Sequence, residues 1–340
     1  GGGGLEHMNS TSVITRKDSY EQDETYNGFL SLIAHEYFHL WHVKRLRPIQ
    51  LGPFDYENEN YTTQLWFFEG FTSYYDDLLL RRAGLIDDAT YLKLLCKTIA
   101  QVQQTPGRHV QTVAQASFDA WVKYYRQDEN TPNATVSYYT KGSLVALCLD
   151  LTLRQEGHTL DAVMRGLWKR CKAGPMREQD LLDELHARTG RSWQPEIQTW
   201  VHSTADLPLR DLLSGQSIEV SAEIATMAQR LGLRVSEAGG NVHIKGVLRG
   251  SAAEAAGMAA GDEWLGLDVG ETPAARAQGG SWRLNKLDDL PALLGREHQL
   301  VALVSRDKRL LRLHLKVPAQ ASSWKLGMPA QRKAGQWPAV

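Results

Sequence analysis

The sequence predicts a multidomain α plus β protein, with a mainly α-helical region over residues 1–205 followed by a smaller β-rich part. Two observations carry this. Up to about residue 205 the apolar residues recur at the helical period in long segments studded with large aromatics. Beyond it they alternate in short runs punctuated by glycine, the pattern of half-buried strands. The 340 residues are long for one domain and comfortable for two.

Taken in order, the helical period covers Phe29 to Leu46, Thr63 to Arg82, Ala89 to Gln104, Lys141 to Gln155, Leu160 to Lys172 and Glu178 to Thr189. The break between the two regions is expected over residues 206–225, as a linker. Strands are expected at Leu233 to Val235, Val242 to Val247, Trp264 to Val269, Leu300 to Ser305 and Leu310 to Val317. Two short helices fit among them, at Ala252 to Ala256 and at Lys286 to Leu294. The second carries Asp288 and Asp289 in its first turn, where the helix dipole favours acids. Residues 319–340, rich in Ala, Gln, Gly and Pro, show neither period and read as an irregular tail.

Composition removes several classes. With 42% hydrophobic and 23% charged residues the chain is an ordinary globular one, not a disordered or collagenous one. No apolar run reaches the roughly 20 residues that cross a bilayer; the greasiest, Leu144 to Leu153, contains Asp150. A formal charge of -1, with cations spread among acids, argues against a nucleic-acid partner, as the lack of a long apolar run argues against a membrane one. Cys96, Cys148 and Cys171 cannot all pair and show no CxxC spacing, so they read as small core residues. An odd cysteine count slightly favours the cytoplasm over the periplasm, and the compartment is otherwise open. The chain opens on Gly1 without a Met, which reads as a piece of a longer protein.

The chemistry is concentrated in Leu32-Ile33-Ala34-His35-Glu36-Tyr37-Phe38-His39, an HExxH inside an apolar helical run. At about 100° per residue, His35 and His39 share one helix face and can reach one zinc ion. Glu36 projects beside them, placed to take a proton from a water that the metal acidifies. A catalytic zinc needs a third protein ligand, and Glu69 in Leu65-Trp66-Phe67-Phe68-Glu69-Gly70-Phe71 is the candidate. A lone carboxylate among aromatics is costly unless paired or metal-bound. His-His-Glu is the gluzincin (thermolysin-like) ligand pattern, with one Zn2+ per chain.

His35-Glu36-Tyr37-Phe38-His39, followed by Trp41 and by Lys44-Arg45-Leu46-Arg47-Pro48, resembles peptidase family M61, the glycyl aminopeptidases. That family is similar to the M1 aminopeptidases, in which a strand ahead of the zinc helix binds the substrate amine. Gly3-Gly4-Leu5-Glu6-His7 occupies that place here, so the resemblance implies that Glu6 holds the ammonium, with Gly4 beside the substrate. Ser137-Tyr138-Tyr139-Thr140-Lys141-Gly142 is similar to the YxKG segment, implying that Tyr139, or Tyr138 by a one-residue shift, donates to the oxyanion. A protonated phenol suits that task. The chain departs from the family in carrying His42 where Asn is expected, read as a local packing or hydrogen-bonding replacement. It also lacks the β-rich part that precedes GGLEH. Lys44, Arg45 and Arg47 read as closing a helix C-terminus before Pro48.

In the second half, Leu231-Gly232-Leu233, Gly250-Ser251-Ala252-Ala253-Glu254-Ala255-Ala256-Gly257-Met258 and Gly261-Asp262-Glu263-Trp264 look like a PDZ domain over residues 226–318. The resemblance implies a groove in which a C-terminal peptide adds as a strand, its carboxylate held near Leu231, Gly232 and Leu233. Together these readings describe a zinc aminopeptidase acting on peptides, and the resemblance implies that the N-terminal residue it removes is Gly or Ala. The alternatives are an endopeptidase directed by the PDZ domain to protein C-termini, and an inactive zinc-binding PDZ adaptor.

Overall fold

The computed structural model describes residues 2–269, 280–319, 322–328 and 337. Strands β1 (Gly3–Glu6) and β2 (Thr11–Ile14) form an antiparallel hairpin with Glu6 opposite Thr11. Helix α1 (Asp23–Phe38) follows, opening with Asp23 and Glu24 where the dipole favours acids.

α1 stops at Phe38, eight residues before the end expected from its apolar period. The chain turns away there and passes through Val43 at φ 134°, a conformation a β-branched residue does not hold within a helix. The cations beyond it therefore do not close the helix. Lys44 pairs with Glu6 at 3.1 Å, and Arg45 Nη1 donates to the Leu40 carbonyl at 2.6 Å. Strand β3 (Arg47–Pro48) leads into the long connection to α2.

α2 (Leu65–Arg82) is apolar nearly all round, burying Trp66, Phe67, Phe68, Phe71, Tyr74, Tyr75 and Leu78, and it is the central rod of the first region. Around it stand α3 (Asp88–Gln103), capped by the Asp87 carboxylate on the Thr90 N–H, and α4 (Val113–Phe118), opened by a Thr112/Gln115 capping box. A π-helical turn at Ala120–Tyr124 and the short α5 (Thr131–Ala134) lead to α6 (Tyr138–Gln155). Then come α7 (Leu160–Arg170), β4 (Pro175–Met176), α8 (Glu178–Thr189) and α9 (Gln194–Trp200). β4 pairs parallel with β3. Asp150, the acid inside the apolar run of α6, is buried but served. It accepts from Tyr74 Oη at 2.8 Å, from the Leu160 N–H at 2.8 Å and from Arg154 at 2.9 Å.

The stretch expected to be a linker is structured. α10 (Leu209–Gly215) buries Leu209, Leu212 and Leu213 in the first core, and β5 (Glu219–Ile224) pairs antiparallel with β12 (Ser322–Gly327). The tail expected to be irregular thus supplies a strand. It also returns Trp337 to the first core, where the indole N–H donates to Tyr74 Oη at 3.0 Å. A lone short strand and an isolated Trp leave no periodic trace, which is why neither was legible. The remainder of that tail lies outside the described residues.

The second region has a core of its own, built from residues 227–317. α11 (Met227–Leu231) precedes β6 (Leu233–Ala238), β7 (Asn241–Val247), α12 (Ala252–Ala255), β8 (Glu263–Val269) and β9 (Ser281–Arg283). A short helix, Leu290–Leu294, comes before β10 (Gln299–Arg306) and β11 (Arg309–Lys316). The sheet runs β11-β10-β8-β7-β6, antiparallel throughout, with β9 on β8. Asn133 joins the regions, donating to the Val247 carbonyl at 2.9 Å and accepting from the Arg249 N–H at 2.8 Å. Among the described residues no helix is long and apolar enough to cross a membrane.

Candidate active site

His35 lies in the last turn of α1 and His39 at its C-terminal boundary, so both rings leave the helix end on one side, 4.7 Å apart and edge to face. α2 packs across this end and presents Glu69, whose Oε2 stands 3.3 Å from Nε2 of His35 and 3.3 Å from Nε2 of His39. Those separations match the roughly 3.3 Å edge of a tetrahedron with arms of about 2.0–2.1 Å, the arm lengths of zinc with imidazole and carboxylate. The three residues fit one tetrahedral metal ion.

The other ring nitrogens are anchored. His35 Nδ1 donates to Asp76 Oδ2 at 3.1 Å, and His39 Nδ1 donates to the His42 carbonyl at 2.8 Å. This fixes Nε2 of each ring as the atom offered to a ligand. The charges are mutually dependent. Burial would depress His35, yet hydrogen bonds to Asp76 and Glu69 hold it up to about 10; burial would raise Glu69, yet the two histidines hold it down to about 2. The site is built to carry positive charge beside Glu69.

Glu36 is 5% exposed, and its Oε2 has no hydrogen-bond partner among the described residues. Burial is the main cause that lifts its carboxyl above the ordinary range, with Glu6 and Glu69 adding to it against the two histidines. β1 runs directly over it: a Cβ on Gly4 would come within 2.2 Å of Glu36 Oε1. Any side chain there would have to push the Glu36 carboxylate aside. Carboxylate oxygens of Glu6 and Glu36 and a ring nitrogen of His39 lie within 4.8 Å of one another, so Glu6 stands at the same centre, paired with Lys44.

The tyrosine pair arrives on α6. Tyr139 stacks obliquely 6.2 Å from the His35 ring, and its hydroxyl lies 3.3 Å from that of Tyr125. Burial, and then the charge of Glu69, push its phenol far above the ordinary range, so it stays a neutral donor. Tyr138 is buried between Tyr124 and Tyr139 at 4.8 and 4.7 Å. Beside Glu69 and Tyr138 opens an apolar cavity of about 380 Å3, walled by Phe54, Tyr61, Phe118 and Trp121. The π-helical turn at Ala120–Tyr124 sets part of that wall.

Sequence reasoning did not single out Asp76, Tyr125 or the aromatic cavity. Asp76 had a readable signal: it follows Glu69 by seven residues on α2, hence on nearly the same helix face. His42 takes the local role expected of it. Its ring is packed against Phe67 and Phe68, its Nε2 donates to the Phe67 carbonyl at 3.1 Å, and burial holds it neutral, down to about 3.

Residues 28–145 match the M61 glycyl aminopeptidase family. The M61 span runs from α1 into α6 and contains His35, Glu36, His39, Glu69, Asp76 and Tyr139. The crystal structure of an aminopeptidase N family protein from Idiomarina loihiensis is similar over 96% of this chain, with a TM-score of 0.87 and 32% sequence identity. The chain spans 58% of the length of that protein. No curated protein matches the sequence.

Proposed function

We propose that the chain carries the active site of a zinc-dependent aminopeptidase that removes small N-terminal residues, Gly or Ala, from peptides. One observation carries the reading: a single Glu69 oxygen lies 3.3 Å from Nε2 of both His35 and His39, beside a buried Glu36 with an unpartnered oxygen. His35, His39 and Glu69 would hold the ion. When bound, zinc supplies Lewis acidity for a peptide carbonyl and lowers the pKa of water toward neutrality.

Glu36 then takes the proton of the attacking water and passes it to the leaving amine, a task suited to a carboxyl whose pKa is raised. Tyr139 donates to the oxyanion that forms on the former carbonyl. Glu6 holds the substrate ammonium in exchange for part of its pairing with Lys44. The preference for a small first residue rests on the likeness of residues 28–145 to the M61 glycyl aminopeptidases.

The test has two readouts. Zinc content by plasma mass spectrometry is expected near one ion per chain in wild type and far below it in Glu69→Ala. Hydrolysis of Gly- and Ala-initiated peptides is expected only with a free amine, and Glu36→Gln is expected to abolish it while keeping zinc. Equal turnover of free and acetylated peptides would overturn the exopeptidase assignment. Equal zinc in both proteins would overturn the ligand set.

The second region supports an added peptide-capture role of the PDZ type. β6 is an edge strand, entered through buried Leu231, Gly232 at φ 71° and buried Leu233. A strand can add there by backbone pairing. Binding of a hydrophobic-tailed peptide as its free acid but not its amide is the expected result; no difference between the two argues for a packing role only.

A further inference from the structure

Lys141 follows Tyr139 by two residues, so the two side chains leave the first turn of α6 on roughly opposite sides. Tyr139 faces the metal-ligand set. Lys141 lies on the other side, among the residues that line a separate cavity of about 570 Å3 that the proposed peptidase does not use. Lys141 is 1% exposed, and its Nζ is buried without a hydrogen-bond partner among the described residues. Such an amine is costly to bury, and an anion that meets it offsets part of that cost.

The rest of the wall is already committed. Arg108 is held by Asp206 at 3.0 Å and by the Gln103 carbonyl at 2.5 Å. Arg210 lies 4.8 Å over the Trp324 ring and donates to the Val220 carbonyl at 3.1 Å. Of the three lining cations Arg108 is paired with Asp206 and Arg210 is met by a ring and a carbonyl, while the Lys141 amine has no hydrogen-bond partner among the described residues. Burial pushes its amine below the ordinary lysine range, with Asp206 only partly opposing. Val102, Leu144 and Leu207 supply apolar surface beside it. The volume lies within the range of small-molecule sites.

We propose that this cavity, formed between α6 and the segment from Asp206 to Asp211, binds a small organic acid, its carboxylate on Lys141 Nζ and its apolar body against Val102, Leu144 and Leu207. The site stands independently of the peptidase reading, because none of these residues touches the metal-ligand set.

The test is thermal unfolding and calorimetric titration of the zinc-loaded protein with benzoate, against chloride at equal ionic strength. A rise of several degrees in Tm at millimolar benzoate is expected in wild type and in Lys141→Arg, and none in Lys141→Met. If Lys141→Met does not fold, Leu207→Trp, which fills the cavity without altering the lysine, is expected to remove the shift instead. The proposal is overturned by no shift in wild type, by an equal shift in Lys141→Met or in Leu207→Trp, or by stabilisation with inorganic phosphate but not benzoate. An equal shift in the Lys141→Met variant would place the carboxylate elsewhere, including on the metal.

Discussion

Gly70 of α2 and Gly142 of α6 touch backbone to backbone: a Cβ on Gly70 would fall 2.5 Å from the Gly142 Cα. The reciprocal Cβ on Gly142 would meet the Trp66 carbonyl at 2.5 Å. Each glycine follows closely on a site residue, Glu69 in one helix and Tyr139 in the other. The close crossing is what brings the turn of α6 that carries Tyr139 beside the turn of α2 that carries Glu69.

Gly142→Ala is therefore expected to separate the two helices and cost about 1–3 kcal/mol, the usual range for overpacking a filled core. Because Glu36 and the histidines stay in place, the loss should fall on kcat more than on zinc content. Urea denaturation with metal analysis and steady-state kinetics on one preparation checks both. A variant as stable and as fast as wild type would show that the crossing is slack.

Asp76 holds His35 in the tautomer that offers Nε2. Asp76→Ala should weaken zinc binding by about 10- to 100-fold, the range known for such outer partners of metal-bound histidine. Competition against a chromophoric chelator measures it. Asp76→Asn keeps an acceptor for the ring N–H and is expected to recover part of the affinity.

The aromatic cavity beside Glu69 predicts selectivity at the residue after the cleaved bond. Gly-Phe and Ala-Phe peptides are expected to show higher kcat/KM than their Gly-Gly and Ala-Gly counterparts, by about tenfold or more for a buried aromatic. Trp121→Ala should erase most of that preference while leaving the slower substrates unchanged. Equal preference in both proteins would place that side chain elsewhere.

The site was legible where spacing alone decides geometry. The four-residue step from His35 to His39 fixes a shared face on any helix, and the lone Glu69 among aromatics identified itself by cost. The longer helices up to Thr189 were readable for the same reason, apart from both ends of α1, whereas α4 and α5 are too short to show a period. Past the C-terminal end of α1, Val43 and the cations look helical in type, and the turn shows only in the positive φ of Val43, in the distant pairing of Lys44 with Glu6 and in the local bond from Arg45 to the Leu40 carbonyl. β12 and Trp337 were unreadable because what orders them, β5 and Tyr74, is far away in the sequence. The Gly70–Gly142 contact was equally hidden, since a helical glycine reads as a weakness until its partner is known.

The adjacent Asp77 carries a pH signature that can be separated from the site. It faces Ser31 of α1, and burial, reinforced by the neighbouring Asp76 charge, lifts its carboxyl to about 7 against the pull of Ser31 and Lys97. Its folded pKa lies above the unfolded value near 3.9, so between about pH 4 and pH 7 the folded state binds more protons than the unfolded one. Its contribution to stability must fall as pH rises through that window and stay flat above it. Asp77→Asn removes the ionisation while keeping the shape. It should match wild type near pH 4 and exceed it at pH 8 by on the order of 2–4 kcal/mol. Denaturant unfolding of both proteins at the two pH values, compared as a difference, cancels the titration of every other carboxylate. A difference that does not change with pH would mean that Asp77 is ionised in the folded protein throughout, with its charge met by Lys97.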